Sequence, residues 1–328
     1  MRAFDYRRAH SPEDAARLTQ APEAMLIAGG TNLLDLMKLQ VETPELLADI
    51  GRIGFAEIID TDDGGLSIGA LATNTAVAIH PRVRRDYPVL ARAILAGATQ
   101  QLRNRATTGG NLCQRTRCFY FTDIDQPCNK REPGSGCGAI GGVNKLHAVL
   151  GASDHCIATY PGDMAVAMAA LDARVIIGAA DGQQRSVPVR DFHRLPGDTP
   201  WRDNVLDPGE VILAVELPAP LEGMQIYRKV RERSSYAFAL VSIAAVIAVE
   251  NGAITRAELA FGGLAHKPWH DPRISELLVG SAPSAELFDR AADLLLESAE
   301  GQGDNDFKIP LARRALHAVL AQVMEQAA

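Results

Sequence analysis

Short apolar runs alternate with helical stretches along the first part of the chain. Ser11 followed by Pro12 and two acidic residues is a typical helix start, because the serine side chain can cap the first turn. Asn74 is expected to cap another short helix, and the alanine-rich residues 89–101 predict a longer one. Apolar runs that predict strands lie at residues 25–28, 46–50 and 66–70. This pattern predicts repeated strand and helix units.

The pattern stops between residue 103 and residue 156. Glycine, proline, arginine and cysteine dominate this stretch, and no apolar period persists in it. Long irregular segments inside a compact chain are usually functional, or held by something other than apolar packing. We therefore expect this segment to carry chemistry.

Regular patterns return after residue 160 and change character near residue 220. A helix is predicted over residues 163–171, a hairpin follows around Asp181-Gly182, and residues 211–217 predict one more strand. After residue 220 the pattern indicates an antiparallel sheet with a turn at Asn251-Gly252, followed by two helices. The segments of this last part are residues 225–230, 238–249 and 257–262 for the sheet, and 285–298 and 309–324 for the helices. The sequence thus predicts two domains, residues 1–220 and 221–328.

Net charge and the length of the apolar runs exclude some classes of function. The chain has 328 residues and a net charge of −7, so nonspecific binding to nucleic acid or to membrane surfaces is not expected. No apolar run reaches the length of a membrane span, and we expect no membrane insertion. Arg7-Arg8 is followed by polar and acidic residues rather than an apolar core, so we expect no export signal in this chain.

Two Gly-Gly loops are candidate phosphate sites. Leu26, Ile27 and Ala28 form an apolar run that enters Gly29-Gly30-Thr31, and residues 32–34 begin a helical turn. Such a turn offers bare backbone amides to an anion. Thr107-Thr108-Gly109-Gly110-Asn111 repeats the arrangement, so the two loops together suit the two phosphates of a dinucleotide. Two ordinary glycine turns are the alternative interpretation.

Five cysteines form the second candidate site. Four of them lie in a window of 25 residues, and the spacing is Cys113-x4-Cys118-x9-Cys128-x8-Cys137-x18-Cys156. Structural zinc sites usually show paired C-x2-C motifs, and plant-type [2Fe–2S] loops need C-x4-C-x2-C. Widely spaced thiolates on a glycine-rich loop instead suit a cubane cluster, with Arg115, Arg117, Lys130 and Arg131 offsetting its charge. Free buried cysteines and a solvated basic loop face are the alternative interpretations. His147 and His155 flank the loop, but a lone histidine is more often a structural residue than a ligand.

These motifs together resemble a known family. Residues 26–34, Leu102 to Asn111 and Pro161 to Ala165 are similar to the flavin-binding medium subunit of molybdenum hydroxylases, which include xanthine dehydrogenases and carbon monoxide dehydrogenases. The cysteine-bearing loop, about residues 112–157, resembles that of the flavin subunit of bacterial periplasmic aldehyde oxidoreductases. The resemblance implies an α+β fold: a two-subdomain FAD-binding domain of the vanillyl-alcohol-oxidase/PCMH type, then a C-terminal antiparallel sheet with a helical bundle, of the CO dehydrogenase flavoprotein type.

The resemblance also implies a role for individual residues. Asp163 is expected to hydrogen-bond the flavin, and Lys229 to lie beside its ring system. Thr108, Gly109 and Asn111 are expected at the phosphate and ribityl region. The residues expected to wrap the FAD pyrophosphate are Leu26, Ile27, Ala28, Gly29, Gly30, Thr31, Asn32, Leu33 and Leu34. A [4Fe–4S] cluster is expected on Cys118, Cys128, Cys137 and Cys156, with Cys113 a spectator.

The function implied by the resemblance is electron transfer within a heterotrimeric aldehyde oxidoreductase. A large molybdopterin-binding subunit oxidises the aldehyde, a small subunit with two [2Fe–2S] clusters relays electrons, and this chain passes them through FAD to an external acceptor. No residue of this chain is then catalytic toward the aldehyde. The resemblance implies a periplasmic location by co-export with a signal-bearing partner, whereas the bare sequence indicates the cytoplasm. A self-sufficient flavin oxidase and a structural or sensory iron–sulfur protein without flavin are the alternatives.

Overall fold

Three sheets organise the chain. The computed structural model describes residues 1–327, and side chains as far as residue 324. The strands are β1 (Asp5–Arg8), β2 (Ala24–Ile27), β3 (Leu46–Asp49), β4 (Ile58–Asp60), β5 (Leu66–Gly69), β6 (Arg174–Ala179), β7 (Gln184–Pro188), β8 (Glu210–Leu217), β9 (Met224–Val230), β10 (Val241–Glu250) and β11 (Ala253–Gly262). A parallel sheet has the order β1-β3-β2, an antiparallel sheet has the order β4-β5-β8-β6-β7, and a C-terminal antiparallel sheet has the order β11-β10-β9.

Helices cover these sheets and connect them. Within residues 1–327, no helix is both long enough and apolar enough to cross a membrane. The helices are α1 (Pro12–Leu18), α2 (Leu33–Lys38), α3 (Asn74–Ile79), α4 (Pro81–Asp86), α5 (Pro88–Ala96), α6 (Gln100–Arg103), α7 (Thr108–Leu112), α8 (Phe119–Thr122), α9 (Asp163–Ala170), α10 (Val189–Phe192), α11 (Pro272–Leu278), α12 (Ala285–Leu296) and α13 (Lys308–Ala327).

Helix α9 lies at the centre of the molecule, and every residue in it is buried. It packs in one apolar cluster with α5 and with side chains of β10 and β11, so the N-terminal part and the C-terminal sheet share a core. A second cluster lies between the other face of that sheet and helices α11, α12 and α13. Asp163, the first residue of α9, is thereby held between the two parts of the chain.

Most predicted elements are present, and the differences have local causes. The predicted helix over residues 89–101 is two helices, because Ala98 has a φ of 51° and Thr99 caps a new turn. Thr73, not Asn74, caps helix α3, since its hydroxyl accepts from the Ala76 N–H. The strand predicted over residues 257–262 begins earlier, at Ala253, directly after the predicted Asn251-Gly252 turn. The stretch predicted to be irregular, residues 103–156, contains two short helices besides the last residue of α6.

Candidate cofactor sites

The first glycine loop is a turn between β2 and α2 with free backbone donors. Within the described part of the chain, the N–H groups of residues 29–33 donate no hydrogen bond. Gly30 has a φ of 71°, which favours glycine, and residue 29 lies so close to the Arg105 backbone that a Cβ there would collide with it. Unbonded amides at a glycine turn suit a phosphate, so this loop fits the FAD pyrophosphate.

The second glycine loop lies beside the first, but its donors are already used. The backbone N–H of Thr108 and that of Gly109 donate to the carbonyls of Ala72 and Ala70, at 2.9 and 2.8 Å. The Thr108 hydroxyl is buried and also donates to Ala72, at 3.0 Å. Asn111 is half-buried, and its side-chain oxygen accepts from Gln114 at 3.1 Å. These bonds tie the loop to the segment between β5 and α3, and its predicted contacts with phosphate remain a prediction.

Asp163 and Lys229 meet beside a central cleft, and Asp163 is one of the residues that line it. The Lys229 ammonium donates to the Asp163 carboxylate at 2.7 Å, and the Tyr227 hydroxyl donates to the same carboxylate at 2.5 Å. Burial raises the pKa of the Tyr227 hydroxyl, and the Asp163 charge raises it further. The tyrosine therefore stays protonated and keeps donating. The walls of the cleft include Thr116, Arg117, Cys118, His147, Tyr160, Asp163 and Phe238.

The sequence placed Asp163 and Lys229 at the flavin, and the structure brings these two residues together. Sequence reasoning missed Tyr227. Its only signal is that it precedes Lys229 by two residues, so that both side chains leave β9 on the same face. Tyr227 and Lys229 together hold the Asp163 carboxylate at the wall of the cleft, where it can accept a hydrogen bond from a ligand.

Four cysteines line one small cavity, which we call the cysteine cavity. The backbones of Cys128 and Cys137 pair as an isolated antiparallel bridge, which sets these two cysteines side by side. All five cysteines of the chain are free. The cysteines of the cavity are Cys118, Cys128, Cys137 and Cys156. Cys113 is not among the cavity residues and packs against the main apolar core.

Burial keeps two thiols of the cysteine cavity protonated. Burial raises the pKa of the Cys118 thiol to about 12 and that of the Cys156 thiol to about 11. Such thiols become ligands when a bound metal displaces their protons. Among the described residues, no group of three or more histidine, cysteine, aspartate or glutamate side chains is arranged around a single metal ion. The predicted cluster therefore has support only from the cysteine donor set around one cavity.

Two buried histidines contact cysteines of the cavity. His147 Nε2 lies 3.1 Å from Cys118 Sγ, and His266 Nε2 lies 3.3 Å from Cys156 Sγ. Burial lowers the pKa of His147 to about 4, so its ring is neutral near pH 7. His155, the other histidine flanking the loop, is half exposed and lies 3.5 Å from Asp198. Sequence reasoning missed His266, because it is far from the cysteines along the chain.

Basic residues of the cysteine loop serve mainly to anchor it. Lys130 is buried and donates to Asp203 and to the Pro200 carbonyl, both at 2.6 Å. Arg115 pairs with Asp203 and with Glu42. Burial alone would raise the pKa of Asp203, but Arg115 and Lys130 together lower it. Arg115 and Lys130 were predicted to offset the charge of a cluster. In the structure their own charges are paired with the carboxylates of Glu42 and Asp203.

The other two basic residues predicted to offset the charge of a cluster are Arg131 and Arg117. Arg131 donates to the carbonyls of Tyr120 and Phe121, at 2.8 and 2.9 Å, so it also holds the loop. Arg117 stacks over the Phe238 ring at 5.3 Å, at the wall of the central cleft. A guanidinium in this place can stack on an aromatic ring system that binds in the cleft.

Known proteins match this chain over its whole length. The family described as FAD binding domain in molybdopterin dehydrogenase matches residues 2–220, and the CO dehydrogenase flavoprotein C-terminal domain matches residues 225–323. The aldehyde oxidoreductase FAD-binding subunit PaoB of Escherichia coli is 53% identical over 100% of both chains. The glyceraldehyde dehydrogenase medium chain of Sulfolobus acidocaldarius is 26% identical over 87% of this chain and 84% of its own.

Solved structures agree with the architecture. Quinoline 2-oxidoreductase from Pseudomonas putida has a chain that superposes with a TM-score of 0.75 at 27% identity, covering 99% of this chain and 98% of that one. A chain of carbon monoxide dehydrogenase from Hydrogenophaga pseudoflava gives 0.77 at 24% identity, with the same coverage, which supports the fold alone. The predicted α+β fold and the resemblance are confirmed. The chain belongs to the family of FAD-binding medium subunits of molybdenum hydroxylases, and its cofactor is FAD.

Proposed function

We propose that this chain is the flavin and iron–sulfur subunit of a molybdenum-dependent aldehyde oxidoreductase, and that it passes electrons through FAD to an external acceptor. The observation that carries the substrate class is the 53% identity with PaoB over the full length of both chains. Residues 1–220 form the FAD-binding domain in this proposal, and residues 221–328 the C-terminal domain.

The chain's own residues bind and orient the flavin. Bound FAD takes up and releases electrons, which is chemistry that the cofactor brings and the protein tunes. The free amides of residues 29–33 hold the pyrophosphate, and Asp163 accepts a hydrogen bond at the cleft, held in place by Tyr227 and Lys229. No residue of this chain needs to act on the aldehyde as acid or base.

The cysteine cavity is proposed to hold a [4Fe–4S] cluster. Four thiols around one cavity supply the donor set that a cubane cluster needs, and Cys113 lies outside it. The cluster supplies one-electron redox chemistry when bound. This chain fixes the positions of the cysteines through the backbone pairing of Cys128 with Cys137 and through the ion pairs of Arg115 and Lys130.

The proposed partners are a large molybdopterin-binding subunit and a small subunit with two [2Fe–2S] clusters, in a heterotrimer. The proposed location is the periplasm, reached by co-export with a signal-bearing partner. Fractionating cells that express the chain with and without the small subunit tests this point. A chain that reaches the periplasm alone, or stays in the cytoplasm with its partners present, contradicts co-export.

Aldehyde assays test the electron-transfer assignment. The purified chain alone should oxidise no aldehyde but should pass electrons from an artificial donor to an artificial acceptor, whereas the co-expressed complex should oxidise aldehydes. Aldehyde turnover by the isolated chain would instead indicate a self-sufficient flavin oxidase. A purified chain without flavin absorption would indicate a structural or sensory iron–sulfur protein.

Single cysteine variants test the cluster. Cys118→Ser, Cys128→Ser, Cys137→Ser and Cys156→Ser should each lower iron and sulfide per chain, because a hydroxyl is a poor replacement for a thiolate. Cys113→Ser is the matched control and should keep both. Iron content unchanged in every variant would show that the cavity holds no cluster, and loss in Cys113→Ser alone would show that the ligand set is wrong.

A further inference from the structure

Two histidines of the cysteine cavity take no part in the function proposed so far. His147 is 2% exposed and His266 is 7% exposed, and each places Nε2 within hydrogen-bond distance of a different cysteine sulfur. Burying an imidazole against a sulfur costs solvation free energy, and ordinary apolar side chains would fill the same space. The arrangement occurs twice, on Cys118 and on Cys156.

The chemistry of the sulfur fixes the direction of these hydrogen bonds. A metal-bound thiolate can only accept, so each Nε2 must carry the proton and donate. Nδ1 of both rings is buried and has no partner within the described residues, which agrees with Nδ1 being the unprotonated nitrogen. Both histidines are therefore N–H donors to sulfur when a cluster is bound.

The backbone around His147 is held by buried groups from the C-terminal part. Lys308 and Asn305, both fully buried, bind this segment: Lys308 donates to the His147 carbonyl at 2.8 Å, and Asn305 donates to the Ala148 carbonyl at 2.9 Å. The His147 N–H donates to the Asn144 carbonyl at 2.9 Å. These bonds fix the ring's position without using its nitrogens.

Cys118 and His147 also lie at the central cleft, where the flavin is proposed to bind. Both line the central cleft, and Cys118 lines the cysteine cavity as well. The sulfur that His147 contacts is therefore in the wall that separates the cavity from the cleft. A change in electron density at this sulfur acts where the two proposed cofactor sites come closest.

Hydrogen bonds to cluster sulfurs stabilise the reduced form more than the oxidised form, because the reduced cluster carries one more negative charge. Resting on the proposed [4Fe–4S] cluster, we propose that His147 and His266 are positioning residues whose Nε2–H groups donate to Cys118 and Cys156 and raise the cluster's reduction potential. Removing either donor then makes the cluster harder to reduce.

The test compares potentials in the full chain. His147→Leu and His266→Leu remove the donor, and His147→Gln and His266→Gln keep an N–H group at similar reach. The matched control is His193→Leu, since His193 is equally buried but its Nε2 contacts the Leu112 carbonyl at 2.8 Å and no cysteine. The measurement is a redox titration of the cluster followed by EPR, with iron counted per chain.

At the wild-type midpoint potential, each leucine variant should show at least a threefold lower ratio of reduced to oxidised cluster. The glutamine variants should recover part of that loss, and His193→Leu should show none. Leucine variants with full iron and a wild-type potential would overturn the inference while leaving the proposed function standing. A wild-type chain without iron would overturn the proposed cluster, and with it this inference.

A second measurement covers variants that fail to assemble. Wild-type chain labelled with ¹⁵N-histidine should show two coupled histidine nitrogens in pulsed EPR of the reduced cluster. Absence of any such coupling in iron-replete protein would overturn the inference independently of the variants.

Discussion

Replacing Gly29 by alanine should disable FAD binding through a single methyl group. A Cβ at residue 29 would stand 2.7 Å from the Arg105 carbonyl carbon and would collide with its oxygen. Carbon atoms in good contact are about 3.5–4.0 Å apart, so one of the two backbone segments must retreat by roughly 1 Å. Neither segment is a flexible side chain, so the displacement moves the free amides of residues 29–33.

The magnitude follows from that displacement. Overpacking of this kind costs about 1–3 kcal/mol in stability with and without FAD, so it does not by itself lower FAD affinity. The displaced amides lose hydrogen bonds to a charged phosphate at about 1.5 kcal/mol each, so two lost bonds should lower the affinity about 100-fold. The assay is FAD per chain after exhaustive dialysis, from the flavin and protein absorbances, with urea unfolding of the same samples.

Two further glycines separate the collision from backbone strain. Gly30→Ala places a Cβ 2.9 Å from the movable end of Leu34 and adds left-handed strain of about 1–2 kcal/mol, so it should lose stability but less FAD. Gly64 has a φ of 81° with no heavy atom within 4 Å of its Cβ position, so Gly64→Ala should show strain alone and full FAD. Stoichiometric FAD in dialysed Gly29→Ala would refute the reasoning.

Two other predictions concern buried charges. Asp163→Asn should cost about 3–5 kcal/mol in the free energy of unfolding, because it leaves the Lys229 ammonium buried without its carboxylate. The double variant with Lys229→Met should cost less than the sum of the single variants in urea titrations, and additive costs would contradict this. Burial lowers the pKa of Lys308 from 10.5 to about 7, so the unfolded chain binds more protons between these values. We therefore expect the difference in the free energy of unfolding between the wild type and Lys308→Met to be constant below about pH 7. Above that pH the difference should rise in favour of the wild type by at most about 1.4 kcal/mol per pH unit. A difference that does not depend on pH would contradict this.

Elements with continuous apolar runs could be predicted from the sequence. Helix α9 and the sheet of β9, β10 and β11 fall close to their predicted positions, and every residue of α9 and residues 241–247 of β10 are buried. The break at Ala98 could not be predicted, since only its φ of 51° reveals it and alanine favours helices elsewhere.

Contacts between distant segments explain what was missed at the candidate sites. The cysteine loop was recognised from composition, but the spacing carries no information on what surrounds it. His147 contacts a cysteine 29 residues away and His266 one 110 residues away, so neither distance suggests a pair. The second glycine loop looked equivalent to the first, yet its amides are consumed by Ala70 and Ala72, which depends on how β5 and α3 are joined.

The way in which the C-terminal end closes over the cysteine loop has a consequence for biosynthesis. Asn305 binds the carbonyl of Ala148, 157 residues earlier in the chain, and Lys308 joins the carbonyls of Leu146, His147 and Gly263. Leu146, His147 and Gly263 line the central cleft. A chain whose residue 308 has not yet left the ribosome therefore cannot fix this wall of the cleft, and translation sets a time window that ends when helix α13 docks.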